Sequence, residues 1–334
     1  MADKPARAWG PRWQICSRSW IGVRADQTPA DHRVRAVESD IVTHDKKAAV
    51  LTEASLILAA VFWGLNFAAT KYAASSVPPL LLVALRFTMG GLLLLFVLRL
   101  LEPGSRLTRK DVLPMASLGC FGVATAQTGF TFGVSLTSAA STGLIFATAP
   151  VWGLLLGAAL GLERPTRRGI LGLALSVVGV AFVVFEGLGG GDDSLLGDLF
   201  VLLAAVCVGA YAVLSMPLLE RHRPLAVATY PVLFGAPFLL LLSSPQALGL
   251  EWRSVGMGPW AAVAYSAVFA TAFAFVGWQR GLSRIGANRV LVYQYLITIV
   301  GVASGIVFFG ETLEINKIVG GAIILLGVYL ARRQ

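Results

Sequence analysis

Two stretches decide the fold when read together: GLERPTRRGILGLALSVVGV at residues 161–180 and FGETLEINKIVGGAIILLGV at residues 309–328. Displaced by 148 positions they align without a gap, so that Glu163 falls on Glu311, Gly172 on Gly320, Gly179 on Gly327 and Val180 on Val328. Each stretch closes a series of about five apolar blocks, and each block approaches the ~20 residues that a helix needs to cross a bilayer. An odd number of crossings makes a second copy enter the membrane from the opposite face. The echo therefore predicts two inverted copies, an architecture built around alternating access.

Working outward, the blocks fall at about 54–74, 79–98, 112–133, 139–160, 168–186, 198–217, 226–243, 258–279, 287–309 and 315–331. The predicted fold is an all-α integral membrane protein of ten transmembrane helices, arranged as inverted five-helix repeats over 54–187 and 198–332. Composition agrees: 56% of the residues are hydrophobic and 13% charged, against about a quarter charged in soluble domains. The net charge of +9 is no nucleic-acid footprint, because Lys and Arg sit in short connections and form no basic face. The three cysteines, Cys16, Cys120 and Cys207, have neither metal nor disulfide spacing, and the three histidines lie outside the blocks. No nucleotide-binding loop occurs, so neither a cofactor nor a metal is expected.

Residues 1–50 read as a basic, unstructured cytoplasmic tail. Within it, Trp9, Trp13, Cys16, Trp20 and Val23 are spaced for a short interfacial helix on anionic lipid, although Gly10 and Pro11 interrupt the pattern. With the N-terminus inside the cell, the connections and termini on that side hold 23 Lys and Arg, against two outside. The ratio is still 14 to two without the tail. This bias predicts a multi-pass protein of the plasma membrane with both termini cytoplasmic.

Polar groups in hydrocarbon are costly and tend to face the bundle or a wet cavity. The candidates nearest mid-membrane are Asn66, Gln127, Tyr265, Tyr293 and Gln294, with Trp63 one turn before Asn66 and further aromatic surface from Trp152 and Trp278. Arg86 follows Pro79 by seven residues, about 10 Å into the second block. A cation there suits a carboxylate on a substrate or a partner acid. Lys71 is close enough to the end of its block to reach the interface. Pro150, in the middle of the fourth block, predicts a break in that helix. No acid lies at mid-membrane, which argues against a deep carboxylate relay, an ion exchanger or a membrane-embedded enzyme. Glu163 and Glu311 read as markers of tight helix connections.

Phe62-Trp63-Gly64-Leu65-Asn66-Phe67 followed by Lys71, and Pro78-Pro79 through Leu85-Arg86-Phe87, resemble the opening of the EamA family in the drug/metabolite transporter superfamily. Ala149-Pro150 with Gly161-Leu162-Glu163-Arg164-Pro165-Thr166 resembles the junction of that family's fourth and fifth helices. Phe309-Gly310-Glu311 and Gly320-Gly321-Ala322 resemble the matching marker in the second copy, and the likeness covers about residues 54–332. Leu162 stands where the family usually has Gly. The resemblance implies a transporter with a central cavity that carries small metabolites, often exporting amino acids or related compounds. The expected substrate-binding residues are Trp63, Asn66, Arg86, Gln127, Tyr265, Tyr293 and Gln294, with a small molecule and the lipid bilayer as partners. A non-transporting sensor or assembly protein is the alternative, and neither the substrate nor the oligomeric state is legible.

Overall fold

The computed structural model describes residues 29–161, 167–187 and 194–332. Among them every regular element is helical. The chain runs through α1 (Pro29–Ala74), α2 (Pro79–Leu101) and α3 (Arg109–Ser117), a π-helical segment (Leu118–Thr125), then α4 (Ala126–Leu136), α5 (Ala139–Phe146), α6 (Ala149–Ala159) and α7 (Arg167–Gly187). It continues through α8 (Leu195–Leu219), α9 (Pro224–Gly249) and α10 (Met257–Tyr265), a second π-helical segment (Ser266–Phe273), then α11 (Ala274–Ile285), α12 (Ala287–Val290), a 3-10 turn (Leu291–Tyr293), α13 (Gln294–Phe309) and α14 (Ile315–Arg332).

Two compact units divide the chain, residues 1–48 and 49–334. The first is described from Pro29 onward, and here the structure differs from the unstructured tail expected over 1–50. Residues 29–50 are helical because Pro29 occupies a first-turn position, where its missing N–H is no loss, and neither Gly nor Pro recurs before Gly64. The Trp-bearing segment at 9–24 and Glu163 lie outside the described residues.

Seven helical stretches are long and apolar enough to cross a membrane: Ala48–Ala74, Pro79–Leu101, Ala139–Ala159, Leu195–Leu219, Pro224–Gly249, Met257–Ile285 and Leu291–Phe309. Two shorter apolar stretches, Ile170–Val183 and Ile315–Gly327, lie within α7 and α14. Large apolar side chains such as Leu92, Phe96, Phe121, Leu241 and Val307 are exposed, as expected of helices whose outer faces meet lipid. The break predicted at Pro150 is present. Ala147 and Thr148 separate α5 from α6, and Pro150 sits in the first turn of α6. Pro231 and Pro237 are instead accommodated inside α9, and Pro217 inside α8.

α7 and α14 pack through glycines at the closest approach two backbones allow. A Cβ at Gly179 would lie 2.7 Å from the Gly320 carbonyl oxygen, one at Gly320 would lie 2.8 Å from that of Gly179, and one at Gly327 would lie 2.6 Å from that of Gly172. Small residues at such crossings replace side-chain burial with backbone van der Waals contact, which is the main attraction between helices in lipid. At the other end of the fold, Asp111 in the first turn of α3 accepts from Thr108 Oγ1 at 2.5 Å and lies 2.6 Å from Arg221 Nη1 and 2.8 Å from His222 Nε2. These contacts tie α3 to the turn between α8 and α9. The hydrogen bonds from Thr108 and His222, with the nearby Arg221 charge, hold the Asp111 carboxyl below the usual carboxylate range.

Two outcomes follow. Gly179→Leu is expected to destabilise the bundle by about 1–3 kcal/mol through overpacking; an unchanged melting temperature in detergent would show that α7 and α14 do not meet there. Because the folded pKa of Asp111 is depressed, its stabilisation is full above about pH 4 and is lost as pH falls through the folded value. Asp111→Asn should therefore lower the melting temperature at neutral pH, and its deficit should shrink in acid. A deficit that grows in acid would contradict this assignment.

Candidate functional site

A cavity enclosing about 580 Å³ of space between atoms, mouth included, lies among α1, α2, α4, α5, α8, α11 and α13. Five of these helices contribute side chains one turn apart on a single face: Trp63 with Asn66 on α1, Gln127 with Phe130 on α4, Val208 with Tyr211 on α8, Phe275 with Trp278 on α11, and Gln294 with Ile297 on α13. Phe67, Arg86, Gly122 and Phe146 complete the lining. The structure thus brings together five of the seven residues expected from the sequence: Trp63, Asn66, Arg86, Gln127 and Gln294. Tyr265 and Tyr293 are not part of the wall. The Tyr265 hydroxyl donates to the Phe62 carbonyl at 3.0 Å, and Tyr293 lies in the 3-10 turn before α13. Mid-block position marks depth in the membrane but not the direction in which a side chain points. Trp152 also turns away, and its Nε1 donates to Thr148 Oγ1 at 3.1 Å.

The second π segment organises the polar side of the cavity. Its Ala270 carbonyl accepts from Trp63 Nε1 at 2.6 Å, its Ser266 hydroxyl donates to Asn66 Oδ1 at 2.6 Å, and its Thr271 hydroxyl accepts from Arg86 Nε at 3.0 Å. Thr271 in turn donates to the Ser266 carbonyl five residues back, a span that suits the wider π turn. The first π segment has the same kind of bond, from Thr125 Oγ1 to the Cys120 carbonyl at 3.0 Å.

Aromatic rings form the apolar walls in two groups. Trp63 meets Phe275 edge-on at 5.6 Å and Trp278 at 5.0 Å, with Tyr211 6.2 Å from Phe275. Phe67, Phe130 and Phe146 form a triangle with centroids 5.0–6.3 Å apart. The Tyr211 hydroxyl accepts from Gln279 Nε2 at 2.8 Å, and the Arg86 guanidinium sits 4.9 Å from the Phe87 ring. Two buried donors on the wall, Arg86 Nη1 and Gln294 Nε2, have no hydrogen-bond partner. An unsatisfied buried donor costs about 1–3 kcal/mol.

Glu311 does more than mark a turn. Its carboxylate lies 2.6 Å from Lys71 Nζ and accepts the backbone N–H groups of Ala139 at 2.9 Å and Ala140 at 3.0 Å. It thereby meets the positive end of α5 and ties α1, α5 and the end of α13 together. Lys71 also reaches the Thr137 carbonyl at 3.4 Å, so its charge is engaged inside the protein. α13 reaches this arrangement through Gly310, whose φ of +65° ends the helix in the left-handed conformation. In the first copy, Gly161 has φ +70°, so the left-handed residue stands one position before Leu162.

The model of the EamA-like transporter family matches residues 51–185 and again residues 195–333. The chain belongs to this family. It is accordingly a multi-pass membrane protein and a transporter, not an enzyme. Relatives span nearly the same length as this EamA-like chain. A probable terminal-alkyne amino-acid exporter of Streptantibioticus cattleyicolor is 30% identical over 84% of this chain and 93% of its own. A probable amino-acid metabolite efflux pump of Salmonella typhimurium is 28% identical over 82% and 92%. An uncharacterized transporter of Archaeoglobus fulgidus is 26% identical over 84% and 98%. A crystal structure at 20% identity covers 86% of the chain and 97% of its own with a TM-score of 0.57, a likeness of fold alone.

Glu311→Gln keeps one acceptor oxygen for one of the two backbone N–H groups, turns an NH2 donor toward the other, and removes the charge facing Lys71 and the α5 terminus. It is expected to lower stability by about 1–3 kcal/mol, with Glu311→Ala costing more. Thermal unfolding of the two purified variants measures this, and equal, negligible shifts would show that the carboxylate is not holding α5.

Proposed function

We propose that the chain exports small metabolites, amino acids or related compounds among them, by alternating access of the central cavity across the plasma membrane, with both termini cytoplasmic. The observation that carries the reading is how the two copies share the cavity. At the 148-residue offset, Gln127 corresponds to Phe275, Phe130 to Trp278 and Phe146 to Gln294. With a shift three residues shorter for the first helix of each copy, Trp63 corresponds to Val208 and Asn66 to Tyr211. Five pairs of equivalent positions thus face one void, and the walls differ in chemistry while matching in place.

Further observations support ten crossings in two inverted repeats. The π segments Leu118–Thr125 and Ser266–Phe273 are also 148 residues apart, end to end. The glycine contacts Gly179–Gly320 and Gly172–Gly327 exchange into one another when the copies are swapped, as at an isologous two-fold interface. Gly172 near the start of α7 meets Gly327 near the end of α14, so these helices are antiparallel and the axis relating them is perpendicular to both. Gly64 abuts Val300 and the Ile297 carbonyl, and Gly209 abuts Trp152 and the Ala149 carbonyl, again equivalent contacts. Beyond the seven long stretches, the block at about 112–133 with α7 and α14 would supply the remaining crossings. The excess of Lys and Arg on one side supports the cytoplasmic termini. A packing scheme that the copies can exchange offers two equivalent states, open to opposite sides.

Counterflow of labelled amino acids into proteoliposomes tests the reading. Asn66→Ala and Gln294→Ala are expected to cut initial flux at least about tenfold at unchanged protein abundance, each removing a polar group from the wall. Normal flux in both variants would remove the cavity from the transport path.

A further inference from the structure

We infer that the cavity is built for an organic monoanion, a carboxylate on an apolar or aromatic body, in preference to the zwitterionic amino acid of the same shape. This rests on the transport reading above and goes further by specifying the charge of the solute. Arg86 is 2% exposed and carries a guanidinium that stays charged. Its protein partners are neutral: Nε donates to Thr271, and the Phe87 ring lies beside it. Among the described residues no acid is paired with it, and none of the residues lining the cavity carries a carboxylate.

An uncompensated buried charge is strongly unfavourable, and the missing compensation is an anion. The geometry supplies a place for one. Arg86 and Gln294 both line the void, and each has a buried donor, Nη1 and Nε2, without a hydrogen-bond partner among the described residues. Arg86 favours planar oxyanions because its donors form a fixed fork that matches a carboxylate. The rest of the wall is the two aromatic groups around Trp63 and Phe67, which suit an apolar body. An α-ammonium has no counter-ion there. Asn66 Oδ1 already accepts from Ser266, and the Tyr211 oxygen already accepts from Gln279. Desolvating an ammonium in this cavity therefore costs affinity that no charge returns. An anion is also the species that an inside-negative potential drives outward, so export would need no carboxylate relay in the bundle.

The test uses one body with four heads: 3-phenylpropionate, its neutral amide, phenylalanine and phenethylamine. Binding to the purified full chain in nanodiscs is read from the fluorescence of the wall residues Trp63 and Trp278 and from thermal shift, and uptake is read in proteoliposomes. The acid is expected to bind at least tenfold more tightly than the amide and phenylalanine, and phenethylamine weakest. Arg86→Gln should abolish the preference for the acid over the amide. Should that variant fail to fold, Gln294→Glu places a carboxylate on the same cavity wall as the guanidinium and should invert the order of acid and phenylalanine. Equal affinities across the series, or an acid preference that survives both changes, would overturn the inference. Uptake of phenylalanine or the amide without preference for the acid would overturn it while leaving transport intact. Neither binding nor flux of any of the four would overturn both.

Discussion

The requirement that polar groups inside an apolar bundle find partners governs this structure. The π segment Ser266–Phe273 meets it at the cavity by presenting a carbonyl and two hydroxyls, from Ala270, Ser266 and Thr271, to Trp63, Asn66 and Arg86. These bonds lock α1 and α2 onto the second half of the chain and fix the direction of the three polar side chains. Two residues of the cavity wall, Arg86 and Gln294, each keep a buried donor, Nη1 and Nε2, without a partner among the described residues.

Glycine crossings and charged ties divide the remaining work. Gly179 and Gly320 bring α7 against α14 at backbone distance, and neither lines the cavity. Glu311 acts through charge, joining Lys71 to the N–H groups at the start of α5, and Asp111 does the same between α3 and the turn after α8. The charged ties each join segments from different halves of the chain.

Much of the fold was legible because lipid imposes a one-dimensional rule: a crossing must be long, apolar and helical. The same rule exposed Asn66, Arg86, Gln127 and Gln294 as polar exceptions, and all four line the cavity. It gave no direction for Tyr265, whose ring shares mid-membrane depth but bonds to the Phe62 carbonyl. Nor did it distinguish Phe67, Phe130, Phe146, Tyr211 and Phe275 on the cavity wall from Phe96 and Phe121, which are exposed. An aromatic residue is as acceptable to lipid as to a cavity, so composition carries no signal. The 148-residue offset could have found Phe275 from Gln127, and a shift three residues shorter Tyr211 from Asn66.

By itself the sequence determined that this chain is a helical membrane protein and a member of the EamA-like transporters, and which polar residues are buried in its apolar blocks, because hydropathy and motif spacing are properties of the chain in order. Only the tertiary structure decided which faces of those helices converge. The π turns at Leu118–Thr125 and Ser266–Phe273 change the phase of their helices, and the break between α5 and α6 re-aims Phe146. Side-chain direction in a bundle depends on such accumulated rotations and on the neighbour each face meets. That is why the partnerless buried donors of Arg86 and Gln294, as they stand among the described residues, become visible only once the helices are packed.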